Sequence, residues 1–303
     1  MRHDALIIGG SFAGLSAAMY IARARRSVCI IDTGAPRNRF AAQSHGFFAQ
    51  DGSEPSTMLT IARSQVAAYP TATFIAGKAM SAAREPDGFS VELATGEVLE
   101  SARLVLAFGI SDELPAIPGL AERWGRSVLH CPYCHGFEFS GMRLGVLYVS
   151  PLSVHQAMLL ADWGPTTLYL NGAPELDAAV LTQLQKREVA IEPAPVRAVH
   201  GDGARLSAIE LVDGRTLGLD ALYLRPRTRL NSEIAEHLGC ALDEGPDGSM
   251  IRTESTKMTT VADVYAAGDI TRSVHNVTWA SADGVMAGMA VHRSLVCSSS
   301  MNG

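Results

Sequence analysis

Short apolar runs and polar turns alternate along the chain in an order that repeats. "ALIIGG" is an unbroken apolar strand, "SFAGLSAAMYIARARR" carries small and apolar residues at helical spacing, and "SVCIID" is a second apolar strand. Runs this short and continuous fit strands covered on both faces, so the first 32 residues predict a βαβ unit in a parallel sheet. A second unit follows around residues 143–172, as "RLGVLYV", "SVHQAMLLADWG" and "TTLYLNG". Between the two, "FSVELATGEVLESARLVLAFG" alternates with period two about a Thr95-Gly96 turn, and "AIELVDGRTLGLDALYLRP" repeats that hairpin about Asp213-Gly214. The Pro-rich "ELPAIPG" reads as a linker. The expected architecture is α/β, with two Rossmann-like domains of three-layer ββα form. The first is discontinuous, built from 1–116 and 229–303, and 117–228 forms the second.

Composition narrows the function classes. The chain has 303 residues, 47% hydrophobic and 18% charged, enough apolar content for two cores. A net charge of -6 gives no basic footprint for nucleic acid or an anionic membrane. No apolar run is long enough to span a bilayer and no cleavable leader precedes the first strand, so the cytoplasm is the expected location. Five cysteines, at 29, 131, 134, 240 and 297, are too scattered for a disulfide framework.

The first turn, "GGSFAG", places Gly9, Ser11 and Gly14 at the positions of a G-x-G-x-x-G turn, with serine replacing the middle glycine. It follows a strand and opens a helix whose first amides can hold a pyrophosphate. Asp32, about 20 residues on, ends the next strand where a ribose hydroxyl would sit. Near the C-terminus, "VYAAGD" runs a strand into Gly268 and Asp269, ahead of a small-residue helix. A carboxylate and helix-start amides there can meet another part of a long cofactor.

Cys131 and Cys134 lie in "HCPYCHGFE". A zinc site would need two further thiolates or imidazoles, and the remaining cysteines stand alone, so zinc is the lesser alternative. Two intervening residues let both sulfurs share a helix's first turn, which Pro132 suits and whose positive end favours a thiolate. These features point to a redox pair. His135 can exchange protons near neutral pH, or can be a solvated helix-start residue.

The second βαβ unit departs from its pattern. Its turn contains no glycine; Tyr148, Val149 and Leu152 carry bulk where a pyrophosphate must approach, and Pro151 removes an amide. The following strand ends in Asn171 and not in an acid or an arginine cluster. NAD(P)H is therefore not expected to bind in the usual mode. His155, on the next helix, is a candidate to fill the vacated space.

Together "IIGGSFAGLSAA", "GAPRNR", "SHGFFAQDG", "LAFGISDELPAIPG", "HCPYCHGFE" and "VYAAGD" resemble the low-molecular-weight thioredoxin reductase family of FAD enzymes. The resemblance is closest to the branch with a CPYCHG motif, which includes oxidases that close disulfides in dithiol natural products. It implies FAD on the first domain, with Gly9, Gly10, Ser11, Gly14 and Asp32 around the adenosine diphosphate. Arg37 and Asn38 would follow the ribose strand, His45, Asp51 and Gly52 would lie toward the flavin, and Gly268 and Asp269 would meet the ribityl and pyrophosphate region. Asn276 and Val277 would approach the flavin ring. Cys134 would face the flavin, Cys131 would meet an external dithiol or disulfide, and His135 stands where NADPH-dependent relatives carry an acid.

The resulting expectation is an FAD-dependent thiol-disulfide oxidoreductase, homodimeric by resemblance, working without NAD(P)H. A dithiol oxidase using dioxygen is favoured. A thioredoxin reductase fed by ferredoxin or another non-pyridine donor, a conventional NADPH-dependent thioredoxin reductase and a flavin-binding redox sensor are the alternatives. Its partner is a small dithiol or disulfide, or a thioredoxin-like protein.

Overall fold

The computed structural model describes residues 2–299 and divides into two compact units. The first comprises residues up to Arg39, Ser56–Ser111 and the segment from Thr228 onward. Its core is a sheet built from β1 (His3–Ile8), β2 (Val28–Asp32), β3 (Ala72–Ala76), β4 (Ala79–Glu85), β5 (Gly88–Leu93) and β6 (Val98–Leu106). The order is β3-β2-β1-β6-β5-β4; β1, β2, β3 and β6 run parallel, and Val264–Ala266 adds a further parallel strand on β6. Helix α1 (Phe12–Arg23) links β1 to β2, and α2 (Pro55–Ala67) precedes β3.

The unbroken apolar runs are explained by two-sided burial. Leu6, Ile8, Cys29, Ile31, Leu104 and Leu106 face the antiparallel meander, packing with Phe89, Val91 and Leu93. Ala5, Ile7, Val28, Ile30 and Val105 face the other way, onto α1 and the C-terminal helix Val277–Ser299. These two helices approach closely because their contact is built of small residues. A Cβ on Gly284 would lie 2.1 Å from the Ala13 carbonyl oxygen, and one on Gly288 2.6 Å from that of Ala17. Cys29, fully buried on the meander side of the sheet, is core.

The second unit comprises Phe40–Pro55 and Asp112–Arg227. Its five-stranded parallel sheet has the order Ala190–Glu192, Thr166–Tyr169, Leu144–Leu147, Ala221–Tyr223, Val128–Leu129. Leu144 and Val146 pack beneath the helix Leu152–Leu160, while Leu147 and Tyr169 face an antiparallel sheet of Val196–Asp202, Arg205–Leu211 and Thr216–Gly218. Gly145 is required here, since a Cβ would sit 2.8 Å from the Tyr169 ring.

The two units differ from the expected boundaries chiefly in that residues 40–55 group with the second unit, which also begins at Asp112 and ends at Arg227. The reason is local packing. Gly125 rests directly on Phe40, and His45 pairs with Glu138. Among the described residues no helix is long and apolar enough to cross a membrane.

Candidate active site around the Cys131 and Cys134 pair

The strand Val128–Leu129 delivers the chain to Cys131, whose extended backbone caps a single helical turn, Pro132–His135. Proline fits the first position because that amide needs no intrahelical partner. The Cα atoms of Cys131 and Cys134 are 5.3 Å apart and the sulfurs form a disulfide. The Cys134 amide donates to Cys131 Sγ at 3.2 Å. The helix is only four residues long, so little macrodipole acts on the pair, and this amide adds local electrostatic support.

Distant residues hold the turn at both ends. Gln156 Nε2 donates to the His130 carbonyl at 2.7 Å, and the hydroxyl of fully buried Tyr223 donates to the His135 carbonyl at 3.0 Å. Gly136 closes the turn where a Cβ would lie 2.6 Å from the Pro132 carbonyl oxygen and 2.8 Å from the Trp163 ring. Tyr133 stands edge-on to Trp163, at 5.9 Å between ring centroids. Tyr133, Phe137 and Phe48 are 72%, 80% and 94% exposed, so apolar surface lies on this unit near the cysteines.

His135 is half-buried, and that burial lowers its pKa below the usual imidazole value; Glu138 opposes the shift and His45 adds to it. His45 meets His135 edge-to-face, at 6.0 Å between centroids. Its Nε2 lies 3.3 Å from Glu138 Oε1 and its Nδ1 3.6 Å from Asp51 Oδ1. Asp51 also accepts the Gly46 amide at 2.8 Å, and the Gly52 amide donates to the Ser44 carbonyl at 2.9 Å. His45, Asp51 and Gly52 thus belong to the same unit as the redox pair. Glu138, which the motif contains but the sequence reading passed over, joins the two histidines. Its signal was an acid three residues past His135. Among the described residues, no group of three or more His, Cys, Asp or Glu side chains is placed to hold a metal.

The other expected residues gather in the first unit. Gly9 adopts φ +110°, and a Cβ there would lie 2.1 Å from the Ala107 carbonyl oxygen. A Cβ on Gly14 would lie 1.8 Å from the Gly9 carbonyl oxygen, so α1 packs against its own turn. Ser11 opens α1 without a side-chain capping bond. Asp32 Oδ1 accepts the Gly10 amide at 3.1 Å, and its second oxygen pairs with Arg63, whose guanidinium lies over the Phe74 ring. Arg37 and Asp269 pair at 3.0 Å, with half-buried Asn38 beside Arg37 in the same short 3-10 turn. Gly268 is buried at φ +88°, and Asn276 caps the C-terminal helix, which begins at Val277, by accepting the Trp279 amide at 2.7 Å. Behind these residues buried Asp283 pairs with Lys257 at 2.7 Å and Arg272 at 2.5 Å, and accepts the Gly268 amide at 3.4 Å.

The corresponding turn of the second unit is built differently. Ser153 is buried, and its Oγ accepts the amides of Val149 at 3.0 Å and Ser150 at 3.4 Å. Pro151, in helical conformation, precedes the helix Leu152–Leu160. Asn171 lies in a turn two residues past the strand Thr166–Tyr169, at φ +52°, and accepts the Val196 amide at 2.9 Å. His155 is exposed, so Ser153 and not His155 fills the inside of this turn.

Residues 3–284 match the profile of the pyridine nucleotide-disulphide oxidoreductases. The chain belongs to that family. It is 34% identical to a thioredoxin reductase of Claviceps purpurea, tcpT, over 97% of this chain and 94% of that protein. It is 30% identical to one of Leptosphaeria maculans, sirT, over 95% and 93%. A solved oxidoreductase from Agrobacterium tumefaciens is 44% identical, with a TM-score of 0.94 and coverage of 98% of this chain and 99% of that one. This pyridine nucleotide-disulphide oxidoreductase is thus of the thioredoxin reductase-like, flavin-dependent kind, and these enzymes bind FAD.

The residues of the first unit fit that cofactor. Gly9 and Gly14 let the turn close tightly against the strand and the start of α1, whose first amides no side chain caps, as a pyrophosphate site at a helix start demands. Asp32 at the end of β2 can accept a ribose hydroxyl, and Arg37, Asn38, Gly268 and Asp269 line the same end of the sheet.

Proposed function

We propose that this disulfide oxidoreductase oxidises a small dithiol through Cys131 and Cys134 and uses no bound pyridine nucleotide, with dioxygen as the terminal acceptor. What supports the second part is the Ser153 cap. The two amides that a dinucleotide turn would offer to a pyrophosphate already donate within the protein, and Pro151 supplies none. Asn171 adds neither a carboxylate for a ribose nor a cation for a 2'-phosphate.

In this reading a substrate sulfur attacks Cys131 Sγ, and the bonding pair of the disulfide leaves on Cys134 Sγ. His135, kept neutral at pH 7 by its burial, accepts the thiol proton. The second substrate sulfur then bonds to the first and releases Cys131 Sγ as a thiolate. Tyr133 and Phe137, exposed beside the pair, offer an apolar surface for the substrate. Bound FAD supplies the two-electron acceptor that returns the pair to its disulfide.

Anaerobic titration of the purified protein with a dithiol, NADPH and NADH in turn, followed by air, tests this function. Bleaching of the flavin by the dithiol alone, with recovery in air, is the expected result. Rapid bleaching by NADPH overturns it and restores the conventional reductase.

A second reading reverses the flow, so that the pair reduces a thioredoxin-like protein at the expense of a non-pyridine donor. The names of the relatives from Claviceps purpurea and Leptosphaeria maculans favour it. We also propose that the enzyme is a homodimer. Trp279, Met286, Met289 and Val296 recur on one face of the C-terminal helix and are 40–47% exposed, a stripe that a second copy can cover. Size-exclusion chromatography with light scattering reads this directly.

A further inference from the structure

Oxidising a dithiol releases two protons, yet His135 can hold only one. The pair itself offers no second base, since both of its sulfurs must be free of protons before the disulfide can re-form. Three groups near His135 could take the extra proton: Tyr223, Glu138 and His45.

Tyr223 is excluded by its bonding. Its hydroxyl donates to the His135 carbonyl at 3.0 Å, and burial raises its pKa, so it stays a neutral donor. Glu138 faces His45, with its Oε1 3.3 Å from Nε2. His45 remains, beside the His135 ring and between two carboxylates. A carboxylate faces each of its ring nitrogens, Glu138 at Nε2 and Asp51 at Nδ1, 3.6 Å away, so either nitrogen that holds a proton has an acceptor before it. Asp51 is 72% exposed on its side chain and its pull is screened, so Glu138, at 32%, is the partner of consequence.

We infer that His45, held by Glu138 and Asp51, is a proton station that takes the first substrate proton from His135, so that one imidazole serves both thiols. The rings lie edge-to-face at 6.0 Å between centroids, a separation one water can bridge. The inference deepens the proposed function but rests only on thiol-disulfide exchange at Cys131, so it holds for either direction of electron flow.

The steps balance. The first thiol gives its proton to His135 and its sulfur bonds to Cys131 Sγ as the Cys131–Cys134 bond breaks, leaving a thiolate on Cys134. His135 passes the proton to His45. The second thiol gives its proton to His135 and its sulfur bonds to the first substrate sulfur, breaking the bond to Cys131 Sγ. The substrate has lost two protons and two electrons; the electrons rest on two thiolates and the protons on two imidazoles.

The test is acid-quenched mixing of the holoenzyme with dithiothreitol, with the cysteine states read by alkylation and mass spectrometry, independently of the flavin. In His45→Ala the mixed disulfide on Cys131 should accumulate, because the second phase slows by about tenfold relative to the first, and added imidazole should restore it. Glu138→Gln should slow the second phase by about threefold, without accumulation on the same scale. Equal slowing of both phases, or no rescue by imidazole, overturns the inference. If His45→Ala loses its flavin, Glu138→Gln carries the test, and an unchanged ratio of phases overturns it. A wild type whose pair exchanges with dithiothreitol but whose flavin responds only to NADPH would sink the oxidase reading and leave this one standing.

Discussion

Ser153 Oγ accepts the Val149 amide at 3.0 Å, from inside the turn between strand and helix of the second βαβ unit, the position at which dinucleotide folds hold a phosphate. One hydroxyl does for this backbone what a ligand does elsewhere, so the turn is complete by itself. Ser153→Ala leaves two amides short of an acceptor and should cost about 1–2 kcal/mol, read as a lower urea midpoint. NADPH should still fail to bleach the flavin of this variant, since Pro151 and the bulk around it remain.

The first turn responds in the opposite way. Gly14→Ala would put a methyl group 1.8 Å from the Gly9 carbonyl oxygen, and α1 or the turn must then move. The purified variant should carry much less flavin than the wild type, measured as the ratio of flavin to protein absorbance.

Asp283 is 1% exposed on its side chain and joins Lys257 to Arg272 behind Gly268. Asp283→Ala strands two cations that are themselves largely buried, and should cost about 3 kcal/mol or more in chemical denaturation. Retention of wild-type stability would mean that the cluster is not coupled to folding.

The acid limb of stability should report the buried histidines. Burial lowers the pKa of both His135 and His275 below 6.5; Glu138 and Asp269, respectively, partly offset the effect. Below 6.5 the unfolded chain binds protons at these positions that the folded chain resists, so their contribution is complete above that pH and is lost as pH falls through the lowered values. Denaturation midpoints should decline on acidification from there, and His135→Asn should flatten the decline.

Tyr223→Phe removes the donor to the His135 carbonyl without changing the ring. A loss of about 1 kcal/mol is expected from urea titration. Thiol exchange should also slow, because the turn carrying the pair is then held at one end only.

Much of the fold was legible because it is local. The apolar runs of β1 and β2, the Gly9 and Gly14 turn and the hairpins about Gly96 and Gly214 each depend on residues adjacent in the chain. Asp32, some 20 residues past the turn, was reachable because a βαβ unit has a fixed length. Ser153 could not be read, since a serine inside a helix gives no sign that its hydroxyl folds back on the preceding turn. Gln156, Tyr223 and Asp283 act across 26, 88 and 15 residues, respectively. The partners of Gln156 and Tyr223 are backbone carbonyls, which leave no mark in a sequence, and Asp283 meets the Gly268 amide and two cations that only the fold brings together. The segment 40–55 was read as part of the first unit, and the Phe40 and His45 contacts that group it with the second belong to tertiary packing.

The clamps on the redox turn bear on what happens to the pair when it is reduced. Gln156 grips the carbonyl before Cys131 and Tyr223 the one after Cys134, and neither touches a sulfur. The backbone is therefore held whether or not the sulfurs are joined. Each catalytic cycle then has little structural reorganisation to drive, and an incoming thiol meets the same geometry on every turnover.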